Sequence, residues 1–150
     1  MKEVYYVYNN EALASCIFLS ILDEIERLDI ARCCLVLPLL LDDRIVSYLE
    51  KNFSSEISLE DVISQQPRLF ASFNKRYLSL LPVTINSLMI LYKSGQIKIQ
   101  DDIVLRNSLH FDNSNLGERF SKINNTIPAF MSLLENYSTS NLYKILKVQL

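Results

Sequence analysis

Hydrophobic positions near the start of the chain recur at helical spacing. Leu13, Cys16, Ile17, Ser20, Ile21, Glu24, Ile25 and Leu28 follow one face, and Asp23, Glu26 and Arg27 occupy the other. The pattern predicts an amphipathic helix over about 11–28, capped by Asn9 or Asn10, with Glu11 near its positive end. Before it, Val4-Tyr5-Tyr6-Val7-Tyr8 is β-branched and aromatic, and reads as a short strand or an extended arm. Beyond Leu28 the polar face disappears. Leu35 to Leu41 is a run of apolar residues broken only by Pro38 and stopped by Asp42-Asp43-Arg44. Leaving each such Leu or Val in water would forgo roughly 1.5–3 kcal/mol of burial. The run is far short of the roughly 20 apolar residues that span a bilayer. It therefore predicts a buried helix over 31–41, at the centre of a core or of an interface, with Pro38 starting a fresh turn or a kink.

The later pattern predicts more helices. Asp42 or Asp43 caps a continuation through Glu50. Ser58 with Asp61 resembles a capping box for a short helix ending near Gln66 and closed by Pro67. Leu69, Phe70, Phe73, Tyr77 and Leu80 are again helically spaced. Pro82 suits the first turn of a further helix through Ile85, Leu88, Met89 and Tyr92, ended by Gly95. On that reading its exposed face shows Thr84, Asn86, Ser87 and Leu91. The period then changes to two. Ile97-Lys98-Ile99-Gln100 and Ile103-Val104-Leu105-Arg106 predict a hairpin turning at Asp101-Asp102, without the favoured Gly. A polar loop covers 110–117. A helix over 117–136 contains Pro128 and is bent or broken there, and Ser138 or Thr139 caps a last helix.

The fold class expected is mainly α: a compact multi-helix domain with one small β-hairpin, winged-helix-like. It is one domain over 1–150, with an N-terminal helical part at about 9–66, a winged-helix-like part at about 68–106, and C-terminal helices at about 117–148. Helix 82–94 would be the third helix and 97–106 the wing. The core would gather Leu13, Ile17, Leu37, Leu40, Phe73, Leu88 and Phe130.

Composition narrows the function classes. The chain has 150 residues, 49% hydrophobic and 21% charged, with two Gly and four Pro, so it is globular rather than disordered. No basic segment precedes an apolar stretch with a cleavage-like site, and a cytoplasmic chain without a membrane segment is expected. Cys16, Cys33 and Cys34 sit among apolar residues, with no Cys-x-x-Cys and no Cys/His cluster. They read as reduced core thiols, not as metal ligands. His110 has no partner at motif spacing. No Ser is flanked for a nucleophile elbow, and no Gly-rich stretch cradles a phosphate. The carboxylate pairs occupy caps, a helix face and a turn. The expectation is a non-enzyme with no catalytic, cofactor or metal residues.

Charge is divided along the chain. Residues 1–67 carry five Lys/Arg and twelve Asp/Glu, and residues 68–150 carry ten and five. Such a split either orients the protein between partners or merely solvates two faces. Lys75, Arg76, Lys98 and Arg106 are candidates for nucleic-acid contact. Base readout is poorly supported, since helix 82–94 offers few donors. Partner binding fits the Tyr-rich start and Leu-rich helices better, with Tyr5, Tyr6, Tyr8, Leu39 and Leu41 as candidate interface residues.

The order of segments is also familiar. Tyr8-Asn9-Asn10-Glu11-Ala12-Leu13-Ala14 leads into the first helix. Cys34-Leu35-Val36-Leu37-Pro38-Leu39-Leu40-Leu41 follows. Phe73-Asn74-Lys75-Arg76-Tyr77 then precedes a Leu-rich helix ending at Ser94-Gly95 and the strand Gln96-Ile97-Lys98-Ile99. This resembles, over roughly residues 5–135, the middle-component proteins of bacterial ABC three-component systems, encoded between an SMC-like ABC ATPase and an effector component. The resemblance implies a non-catalytic adaptor in an antiphage or anti-plasmid defence complex similar to Lamassu-type systems. Its partners would be the SMC-like ATPase and an effector, often a nuclease, with DNA reached through the complex. The alternative is a stand-alone winged-helix DNA-binding regulator.

Overall fold

A computed structural model describes residues 2–54, 56–107 and 111–149, and side chains from residue 11 onward. His110 lies outside the described residues. The elements are α1 (Lys2–Ile25), β1 (Arg27–Asp29), α2 (Ile30–Leu40), α3 (Asp43–Asn52), α4 (Leu59–Gln65) and α5 (Pro67–Phe70). They continue with α6 (Phe73–Lys93), β2 (Ile97–Gln100), β3 (Ile103–Arg106), α7 (Glu118–Leu134) and α8 (Thr139–Ile145). The fold is mainly α with a small antiparallel sheet, as the periodicity predicts.

Local signals place most helix ends. Asp29 caps α2 by accepting from the Arg32 N–H at 2.8 Å, and Asp42 caps α3 through the N–H groups of Arg44 and Ile45. Ser58 and Asp61 form the reciprocal capping box of α4, and Ser138 caps α8. At the end of α6, Gly95 takes φ 79°. Gln96 N–H reaches Leu91 O and Gly95 N–H reaches Tyr92 O, a Schellman closure.

Several boundaries differ from the sequence reading. The segment Val4–Tyr8 is neither strand nor arm; it is the first part of α1. Val and Tyr favour strands, but that preference yields to context, and extending an existing helix adds one hydrogen bond for each residue fixed; Asn9 and Asn10 accordingly lie inside α1 and do not cap it. At its other end, α1 stops at Ile25, where Glu26 turns with φ 63°, and Leu28 belongs to a third strand. Pro82 does not open a helix but lies inside α6, which runs unbroken from Phe73. Phe73 and Tyr77 before it, and Val83, Leu88 and Leu91 after it, are buried on one continuous face packed against α1 and α2. That packing outweighs the hydrogen bond proline removes. Pro38 and Pro128 likewise lie inside α2 and α7. Pro67 begins α5 rather than merely closing α4.

The sheet has the order β1-β3-β2. Leu28 pairs with Val104, and Ile99 pairs with Val104 from the other side. The hairpin turn is made by Asp101 and Asp102 at φ 51° and 64°, the positive angles a type I′ turn requires. The Asp102 carbonyl then accepts from the Ile30 N–H, tying the turn to the start of α2.

One core joins these elements. It includes Ile17, Phe18, Leu37, Leu40, Phe73, Leu88, Ile127 and Phe130, with Leu13 packed at its edge. The apolar run settles in this core: Leu35 through Leu40 are all buried. α6 packs on α1 and α2, and α7 on α1 and α3. The charge division of the sequence is absorbed across the same contacts. Arg76–Asp42, Arg106–Asp23, Arg119–Asp43 and Lys122–Glu50 each pair a base from the second half with an acid from the first.

Candidate interaction surface

The residues predicted to meet nucleic acid divide into two kinds. Arg76 turns inward. Its guanidinium donates to Pro38 O at 3.3 Å, Leu69 O at 3.1 Å and Ser72 Oγ at 3.1 Å, lies 3.5 Å from Asp42, and stacks over Phe73. It neutralises the free carbonyl end of α2, where positive charge is favoured. Arg106 also turns inward, pairing with Asp23 at 2.6 Å and donating to Gln96 O, with its side chain only 8% exposed. Lys75 and Lys98 are exposed, but Lys75 is near the start of α6 and Lys98 lies beyond its end. The helix between them rises about 27 Å from position 75 to 93. The four do not form one basic face.

The apolar candidates also divide. Leu39 is 3% exposed and belongs to the core, while Leu41 is partly buried at the core's edge. The side chains of Tyr5, Tyr6 and Tyr8 lie outside those described.

Most of the exposed apolar surface is elsewhere: among the described residues, five of the seven exposed large apolar side chains lie on α6, the others being Phe53 and Leu116. Thr84, Ser87 and Leu91, expected outside, are buried, and Ile85, Met89 and Tyr92, expected inside, are 52%, 40% and 50% exposed. Both faces of this helix carry a helical apolar period, so periodicity alone could not choose between them. Side-chain size chose. Thr84 and Ser87 are small enough to let α1 approach, and Ser87 Oγ lies 3.4 Å from Glu11 O. Beside it, Asn86 donates to the Glu11 carboxylate at 3.0 Å. The outer face then presents Leu78, Pro82, Ile85, Met89 and Tyr92 in steps of four, three, four and three, with Ile90 alongside. This is the spacing of a helix–helix seam. Lys75 and Lys93 stand exposed near its ends, and α6 contains no Asp or Glu.

A groove of about 780 Å³ lies between the start of α2 and α8. Its polar groups already serve each other. Tyr143 donates to Ala31 O at 2.6 Å, so the Tyr77 hydroxyl, 3.1 Å away, donates to Tyr143. Burial and that neighbour push the Tyr143 hydroxyl upward. Thr139 donates to Asp29 at 2.8 Å and receives Arg32 at 3.1 Å, while Arg32 also reaches Tyr137 O. Cys34 opens on this groove, but burial and the Asp29 carboxylate push its thiol up, away from the reactive thiolate. Cys33 and Cys16 are shifted the same way by burial, and all three cysteines are free. Among the described residues, no group of three or more His, Cys, Asp or Glu could hold a metal ion. Nor is any helix long and apolar enough to cross a membrane.

No curated protein and no solved structure matches this chain. A family model described as ABC-three component (ABC-3C) system Middle Component 3 matches residues 2–150. Coverage of almost every residue fits a chain whose core, caps and sheet form one unit. The chain therefore belongs to the Middle Component 3 family of ABC-three-component systems.

Proposed function

We propose that this chain is the non-catalytic adaptor of a bacterial antiphage or anti-plasmid defence complex, joining an SMC-like ABC ATPase to an effector subunit in a cytoplasmic, Lamassu-like assembly. The observation that carries the reading is the α6 face: a molecule with a closed core still exposes Leu78, Ile85, Met89, Ile90 and Tyr92 on one helix. Exposed apolar surface gathered on one element marks a binding site. Held on the adaptor, one partner experiences the other at a raised effective concentration. Nucleotide state in the ATPase is transmitted if its two conformations contact the adaptor differently. Tyr5, Tyr6, Tyr8 and Leu41 are further candidates for the second partner's surface.

The stand-alone winged-helix regulator remains the second reading. One observation favours it: helix, strand, helices and hairpin follow in that order, with the first strand beside the last. Against it stands the outer face of α6, where Arg and Lys would be needed to read DNA and apolar residues stand instead. Lys75 and Lys98 would supply backbone contact only.

Co-expression with the ATPase and effector encoded beside it tests the proposal. The expected outcome is a complex retaining all three chains through size exclusion, with the chain alone binding duplex DNA weakly. Clean separation of this chain from both subunits overturns it. Tight duplex binding by the isolated chain, falling steeply with salt and lost on Lys75→Glu with Lys98→Glu, establishes the regulator instead.

A further inference from the structure

The outer face of α6 has more character than an apolar patch. Leu78, Pro82, Ile85, Met89 and Tyr92 lie along one line, and their 14-residue span rises about 21 Å, or four turns. Thr84, Ser87, Leu88 and Leu91, on the other side, are spent in the core, so the line is available along its whole length. Steps of four and three suit the knobs of a second helix lying nearly parallel to the first. Tyr92 and Met89 supply an amphipathic anchor and an adaptable one. The charges near the ends are both positive: Lys75 at one and Lys93 at the other, with no acidic residue on α6. Glu11 of α1 meets this helix near its middle, where its carboxylate already accepts from Asn86.

This charge arrangement decides between occupants. Pairing with a second copy of α6 in antiparallel fashion brings Lys75 of each copy towards Lys93 of the other, and in parallel pairing Lys75, three residues before Leu78 and in line with the seam, meets its own copy. Both are repulsive, and like charges in the flanking positions are what direct helices away from self-association. A helix with acidic residues at those two positions is attracted instead.

We infer that the outer face of α6 docks one amphipathic helix of a partner chain, whose heptad-spaced apolar residues meet Leu78, Ile85, Met89 and Tyr92 and whose acidic residues face Lys75 and Lys93. This rests on the adaptor reading and specifies the partner chemistry at its surface.

Two synthetic 21-residue helices with leucine at heptad positions, one flanked by Glu and one by Lys, serve as probes. In fluorescence anisotropy with the full chain, the Glu helix binds about fivefold more tightly or better, as two exposed charge pairs would give. Lys75→Glu with Lys93→Glu reverses the preference, and Ile85→Asp abolishes binding of both. All substituted positions are exposed, and circular dichroism checks the fold. Equal affinity for the two helices, no binding of either, or binding unaffected by Ile85→Asp overturns the inference. So does a dimer that Ile85→Asp converts to monomer, since the occupant is then a second copy. In the co-expressed complex, Ile85→Asp is expected to release one subunit. Retention of both subunits by that variant overturns the inference while the adaptor reading stands; failure of the unaltered chain to hold them overturns the adaptor reading itself.

Discussion

Asp42 carries several tasks at one carboxylate. It caps α3, receives Arg44, and lies beside Arg76 as that residue covers the end of α2. Burial by itself would raise its pKa. The Arg44 hydrogen bond, the Arg76 charge and the N–H groups of Ile45 and Arg44 outweigh burial and hold it below the usual carboxylate range. Its ionised form therefore stabilises the fold fully above the unfolded value of about 3.9, and that contribution is lost as pH falls through the lower folded value. Asp42→Asn keeps the cap but not the charge. Denaturant midpoints across pH should show the native chain ahead of this variant at neutral pH, with the gap closing below about pH 4. Thr84 presents the reverse situation. Among the described residues, its buried hydroxyl has no hydrogen-bond partner, on the inner face of α6. An unpaired buried hydroxyl costs about 1–3 kcal/mol. Thr84→Val keeps the shape and is expected to raise thermal stability, read as a higher Tm by calorimetry.

At the scale of elements, α6 is where the sequence was least decisive. A 21-residue helix with apolar positions on two faces has no preferred interior until its neighbours are present. Substitution separates the faces cleanly. Leu88→Ala removes a core side chain and is expected to cost about 2–5 kcal/mol. Ile85→Ala alters a side chain about half in water and should stay within about 0.5 kcal/mol. Equal losses at the two positions in chemical denaturation would contradict the orientation described. By contrast, the burial of α2 was legible. An apolar run interrupted only by Pro38 leaves no polar face to misplace, and the Asp42 cap of α3 was legible beside it, whereas the Asp29 cap of α2 emerges only in the structure. The hairpin was legible from its period of two, but its third strand was not. Arg27-Leu28-Asp29 is too short to carry a period, and it becomes a strand by pairing with residues 74 or more positions away.

The whole molecule is closed by contacts between distant parts of the chain. Arg32 is the clearest case: from α2 it donates to Thr139 and to Tyr137 O, and Asp29 beside it receives Thr139. These bonds hold α8 against the first third of the chain. Arg32→Ala is expected to lower global stability by about 1–3 kcal/mol, as loss of charged hydrogen bonds does. Hydrogen exchange should locate the loosening first in residues 139–145. Uniform exchange change across all helices would argue that α8 is held by Leu142 and Leu146 alone. The charge division has the same meaning at this scale. An acidic first half and a basic second half suggested two oppositely charged partners, yet four of their pairs meet each other. Two of the proposed nucleic-acid cations, Arg76 and Arg106, are consumed in this way. The surviving exposed cations on α6, Lys75 and Lys93, border an apolar seam.

Sequence alone determined most of the helical segments, the caps at Asp42, Ser58 and Ser138, the stop at Gly95, the hairpin and the burial of the Leu-rich run, because each depends on spacing and side-chain chemistry within a few residues. Family membership was legible for the same reason, as an ordered series of such local patterns. Only the tertiary structure decided which side of α6 meets solvent, which arginines are spent internally and that α1 absorbs the tyrosine-rich start. The first two depend on what packs opposite, and the third on helix extension prevailing over a local strand preference. A local period states that a face is apolar, whereas the size of the facing side chains states whether another helix can reach it.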